Sequence, residues 1–134
     1  MPVMMTQTKK PFGDRLVEPS ILLASDSERH GSTMHRALEQ HGFAVEYAGD
    51  YAQVESALHA RAFDVVLLEV TSEAAVEPAV AVALRLKRRN AQQFVGYLAD
   101  PNLETSGLAG DAVLPRNAAR LPEALRRFMG EGGN

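Results

Sequence analysis

FDVVLLEV, residues 63–70, decides the fold. Four consecutive apolar residues, Val65 to Leu68, leave the segment no solvent side. A run this short, with two valines, reads as a strand covered on both faces rather than a buried helix. Strands of that kind belong to parallel sheets flanked by helices. The run then ends on a carboxylate, Glu69, either because the strand surfaces there or because its end carries chemistry.

Working outward, short apolar runs alternate with helical patterns along the whole chain. ILLA (21–24) precedes RHGSTMHRALEQHG, and FAVEYA (43–48) precedes DYAQVESALHARA. FDVVLLEV precedes PAVAVALRLKRR, QFVGYLA precedes a short polar loop, and DAVL (111–114) precedes RLPEALRRFM. Five strand-helix units predict an α/β domain, a doubly wound five-stranded parallel sheet with helices on both faces. Met34, Ala37, Leu38 and His41 give the first helix an inward face, and Gly42 stops it. Asp50 is placed to cap the second helix, which buries Val54, Ala57 and Leu58. Leu121, Leu125, Phe128 and Met129 form the stripe of the last helix, with Arg126 and Arg127 favourable to its C-terminal dipole. Residues 1–19, with Lys9, Lys10, Pro11, Gly13 and Pro19 in no period, read as an N-terminal tail. Residues 130–134 read as a flexible C-terminal tail, leaving a domain over 20–129.

The 134 residues suit one domain with a core large enough to be stable. There is no cysteine, which is compatible with a reducing cytoplasm. A net charge of −3 with both signs interspersed gives no general drive toward nucleic acid or anionic lipid. The apolar runs are too short to span a membrane, and MPVMMTQTKK lacks the order of a signal peptide, so a cytoplasmic location is expected. Arg85, Lys87, Arg88 and Arg89 cluster at the end of the third helix. They read as a solvated last turn complementing the dipole, with an acidic protein partner as the functional alternative. His30, His35, His41 and His59 show no metal-ligand spacing.

In an open parallel sheet, function gathers beyond the carboxyl ends of the strands. The first strand delivers Ser25 and Asp26 there, the third Glu69, the fourth Leu98 or Ala99, and the fifth Arg116. ILLASDSE, FDVVLLEV and GDAVLPR, in that order, resemble the receiver domain of two-component response regulators across residues 20–129. The resemblance implies a flavodoxin-like fold and assigns roles residue by residue. Asp26 keeps the second of two acidic Mg²⁺-binding positions, and Ser25 replaces the first. Glu69 occupies the phosphoacceptor position, usually aspartate. Ala99, or Leu98 if the register slips by one, falls at the hydroxyl position, and neither donates a hydrogen bond. Arg116 stands for the lysine that pairs with the phosphoryl group, and Asn117 for the proline after it. Val113 stands where an aromatic residue completes the switch. DPNLETSGLAGDAVLP is shorter than the family's connection and carries Pro101, Gly107 and Gly110, so the fourth helix is expected to be shortened or absent.

These departures bear on function. Glutamate's extra methylene moves the nucleophilic oxygen, and misplacement by about 1 Å costs about 10²-fold in rate. Mg²⁺ dehydrates reluctantly and wants near-octahedral oxygen ligation, which the loss of one carboxylate weakens. Asp26 and Glu69 are only weak candidates for a metal, and no cofactor is expected. Glu69 is within reach of Arg116, whose fork suits bidentate pairing, unless both point into water. With Ala99 and Val113 at the switch positions, a locked module is favoured over one trapped in an active state. The chain is therefore expected to be a non-enzymatic, phosphorylation-independent pseudo-receiver. It would act as a protein-protein interaction module in bacterial two-component or phosphorelay signalling, with a protein partner and possible homodimerisation. A weakly phosphorylatable or divalent-metal-binding receiver is the alternative. A flavodoxin-like small-molecule site is disfavoured because SDSERHG supplies only Gly31 to the first loop.

Overall fold

The computed structural model of the protein describes residues 19–103 and 112–131, and of residues 102 and 129–131 it describes the main chain only. The strands are β1 (Ser20–Ser25), β2 (Ala44–Gly49), β3 (Val65–Val70), β4 (Phe94–Ala99) and β5 (Ala112–Pro115). The helices are α1 (Glu28–Gln40), α2 (Val54–Ala60), α3 (Val76–Arg89) and α4 (Leu121–Glu131). All strand pairs are parallel, in the order β2-β1-β3-β4-β5. This is the doubly wound architecture that the alternation predicts, and it is the flavodoxin-like fold that the resemblance implies.

Between β4 and β5, Pro101–Leu103 form a 3-10 turn. The remainder of the segment where a shortened or absent fourth helix is expected, residues 104–111, lies outside the described residues. So do residues 1–18 and 132–134 of the two expected tails. Among the described residues, no helix is long and apolar enough to cross a membrane.

All six residues of β3 are buried, as a strand with no solvent side requires. Alternation divides them between two cores. Val66, Leu68 and Val70 pack with Val54 of α2 and with Val76, Ala79, Val82, Ala83 and Leu86 of α3. Val65 and Leu67 pack with Met34 and Leu38 of α1 and Leu121 and Leu125 of α4. Each fully buried valine or leucine contributes about 1.5–3 kcal/mol.

The chain turns as its local chemistry dictates, with three departures. Gly42 adopts φ +91°, and the N–H groups of Gly42 and Phe43 bond the carbonyls of Glu39 and Leu38, closing α1 as expected. His41 does not join the inward face. It is exposed at the helix end, and its Nδ1 pairs with the Ala37 carbonyl at 2.9 Å. Asp50 holds the cap position but makes no side-chain capping bond, because the chain first winds the 3-10 turn Tyr51–Gln53 before α2. Within α2, Val54 is buried while Ala57 and Leu58 are half-buried. Phe128 of the α4 stripe is exposed, with its ring 5.2 Å from that of Phe94.

Gly31 is the one glycine inside α1, and the Tyr47 ring of β2 lies directly on it. A Cβ at Gly31 would sit 2.7 Å from Tyr47 Cε1. Alanine gains about 0.5–1 kcal/mol of helix preference over glycine, but overpacking costs about 1–3 kcal/mol, so the clash wins. Gly31→Ala is expected to lower stability in urea by about 1 kcal/mol. With Tyr47→Leu in the background the same change becomes neutral or stabilising. An undiminished loss there would show that the ring contact is not what requires glycine.

Candidate functional site

Strand register brings the expected residues to one edge. Ser25 is level with Glu69, and Glu69 with Leu98. Ile21, Leu23, Leu67, Leu98 and Leu114 all face α1 and α4, so Ser25, Glu69 and Arg116, each an even number of residues further along its strand, share that face. Three strands therefore deliver a hydroxyl, a carboxylate and a guanidinium to the same place.

Glu69 does not surface. It is 0% exposed, and its Oε2 accepts a hydrogen bond from Arg116 Nη1 at 3.3 Å. The other branch of the guanidinium, Nη2, reaches Asp100 Oδ2 at 3.3 Å. The fork thus bridges two acids instead of clasping Glu69 bidentately, and this corrects the pairing geometry read from the sequence. Glu69 Oε1 and Arg116 Nε are buried and have no hydrogen-bond partner among the described residues. The Glu69 main chain is fixed as well, since Tyr51 donates its phenol proton to the Glu69 carbonyl.

Asp26 is exposed and already engaged. It accepts from the Thr71 N–H at 2.9 Å and from Thr71 Oγ1 at 2.6 Å, tying the loop after β1 to the loop after β3. Ser25 is buried, and its Oγ accepts from the Ser27 N–H at 3.0 Å. Ala99 lies level with Val70 and packs in the opposite core, and Val113 lies level with Tyr97, more than a third exposed. Neither side chain lies on the face that carries Glu69.

Burial pushes the Glu69 carboxyl above its ordinary value, against the pull of Ser25 and Arg116. Burial works against the charge on Arg116, but the carboxylates of Glu69 and Asp100 more than offset it, so the guanidinium stays fully charged. Burial, helped by the nearby carboxylates of Asp26 and Glu69, holds the Tyr51 phenol well above its ordinary value, and it remains a donor.

The residues present do not fit a Mg²⁺ ion. Both Asp26 oxygens are occupied by Thr71, one Glu69 oxygen faces a fixed positive charge, and Ser25 offers a hydroxyl where a carboxylate is needed. Among the described residues, no three His, Asp or Glu side chains are placed to hold a metal. Three contributors were not singled out from the sequence: Asp100, Thr71 and Tyr51. Asp100 had a usable signal, being the first residue beyond the carboxyl end of β4.

The raised Glu69 pKa predicts a pH dependence of stability. Below its ordinary value of 4.5, Glu69 is neutral in folded and unfolded chains alike. As pH rises past that point, the unfolded chain releases the proton first. The folded state then loses stability until its own raised pKa is passed. Urea denaturation from acid to neutral pH should therefore show the native protein falling progressively below Glu69→Gln. A difference that does not change with pH, or that grows the other way, would contradict a burial-dominated carboxyl.

No protein-family model matches the sequence, and no curated protein sequence matches it significantly. Solved structures do match. A response regulator from Thermotoga maritima superposes with a TM-score of 0.66 at 17% identity, over 83% of this chain and 97% of that one. An orphan response regulator of H. pylori gives 0.57 at 16% identity, over 92% and 98%. An atypical orphan response regulator, described as revealing a phosphorylation-independent regulatory mechanism, gives 0.58 at 18% identity, over 80% and 95%. The five parallel strands, their order and the helices around them give this chain the receiver-domain fold of response regulators.

Proposed function

We propose that the protein is a phosphorylation-independent receiver, a non-catalytic module that acts in response-regulator signalling by docking a protein partner in the cytoplasm. One observation carries this reading: the carboxylate at the phosphoacceptor position is fully buried and held by Arg116. Transfer of a phosphoryl group needs an accessible oxygen in line with the donor and a cation offsetting the charge that gathers there. Glu69 offers Oε2 to Arg116 and keeps Oε1 away from solvent. The contact that a phosphoryl group would make with the cation after β5 is made by the side chain itself.

The assigned equivalents agree with a fixed state. Asp26 holds the β3 loop through Thr71, and Ser25 supports the turn after β1 through Ser27. Ala99 and Val113 offer neither a hydroxyl to follow a phosphoryl group nor a ring to swing with it. A ligand shifts an equilibrium only through differential affinity for two states, and these positions supply no such difference. The atypical regulator noted above is described as phosphorylation-independent, and that property of a protein with the same fold supports the reading.

The experiment is incubation with acetyl phosphate and Mg²⁺, followed by intact-mass and peptide mass spectrometry. The expected result is unmodified protein. A stable single phosphate on Glu69 would overturn the proposal and favour the weakly phosphorylatable receiver.

A further inference from the structure

The amino edge of the sheet, opposite the Glu69 site, carries a second feature. The C-terminal ends of α2 and α3 frame a groove of about 210 Å³ lined by Leu58, Ala62, Leu86, Arg89, Asn90 and Gln93. That is smaller than the roughly 300 Å³ at which small-molecule pockets begin. It is the right scale for one or two apolar side chains of a partner.

Several cations lie on the elements that frame the groove, and not all of them are matched. Arg85 pairs with Glu55 at 3.2 Å, and Arg61 stacks on Phe63 while approaching Glu46 at 3.5 Å. Arg88 and Arg89 have no carboxylate partner among the described residues. Arg89 instead places Nη2 2.9 Å from His59 Nε2, a ring nitrogen and not a carboxylate. Complementing the α3 dipole explains a basic last turn. It does not explain why Arg89 turns across to α2 and forms one wall of an apolar groove.

We infer that this groove docks an acidic, amphipathic segment of a partner protein, with an apolar side chain over Leu58, Ala62 and Leu86 and a carboxylate on Arg89. An aspartate or glutamate would take over from His59 as the acceptor for Arg89 and gain a charge-assisted, bidentate bond. The apolar floor supplies affinity, and the basic rim supplies orientation and approach rate. Glu69 and Arg116 lie at the other edge of the sheet, so the site stands whether or not phosphorylation is abolished there.

The test is a titration followed in amide NMR spectra. The probe is a helical peptide with leucines on one face and glutamates on the other. Saturable shifts are expected at Leu58, Ala62, Leu86, Arg89 and Gln93. Arg89→Glu should weaken binding about tenfold or more. Ala62→Phe, at an exposed position, should block the groove without altering charge or fold. No saturable shift, shifts on another face, or unchanged binding by either variant would overturn the inference. Equal binding of polyglutamate or of a single-stranded oligonucleotide would do the same, since bare charge would then suffice. Concentration-dependent shifts of the same amides without peptide, abolished by Arg89→Glu, would assign the groove to a second copy of the chain and also overturn it.

Discussion

A carboxylate at the end of the central strand, out of reach of water, is the constraint on which the carboxyl edge is built. Removing an ion from water costs several kcal/mol even after a protein relaxes around it. Glu69 is 0% exposed, so the fold must answer for it locally. Arg116 does so with one branch of its guanidinium, and Asp100 occupies the other, leaving Arg116 itself 17% exposed. The answer is incomplete, because Oε1 and Nε have no hydrogen-bond partner among the described residues, and burial prevails in lifting the Glu69 pKa. A pair of this kind gives little net stability, and removing Arg116 would leave the buried carboxylate uncompensated. Such an arrangement fixes a conformation rather than strengthening a fold.

That fixation extends through the backbone. The residue that gives its side chain to Arg116 also accepts the Tyr51 phenol proton on its carbonyl, so β3 is tied at one position to β5 and to the segment leading into α2. Asp26 and Thr71 add a tie between the loops after β1 and β3. A site that waits for phosphate needs open oxygens, a metal and a group free to move. At this edge both Asp26 oxygens and Glu69 Oε2 are taken by the protein's own donors.

Much of this is legible in the sequence alone. The alternation of short apolar runs with 3.6-residue patterns fixed five strands and their helices, and the rule that function collects beyond strand C-termini put Ser25, Glu69 and Arg116 together. What escaped notice depends on distances that sequence does not encode. Asp100 lies sixteen positions before Arg116 in the chain, and only the β4–β5 pairing sets the two side by side. Thr71 reads as an ordinary residue after a strand until the loop of Asp26 folds over it. The fork of Arg116 was expected to clasp one acid because a guanidinium can, and a second acid nearby divided it. Asp50 failed as a cap because the chain inserted a 3-10 turn, a choice that cap preferences do not foresee.

The claim that the Glu69–Arg116 contact is a formed interaction, and not two side chains placed near each other, is tested most directly by a double-mutant cycle. Glu69→Gln and Arg116→Met preserve volume and remove one charge each. Their separate and combined effects on urea stability at neutral pH should differ from additivity by about 1–3 kcal/mol. A coupling energy indistinguishable from zero would contradict the account, because the carboxylate would then be buried without depending on the one cation that reaches it.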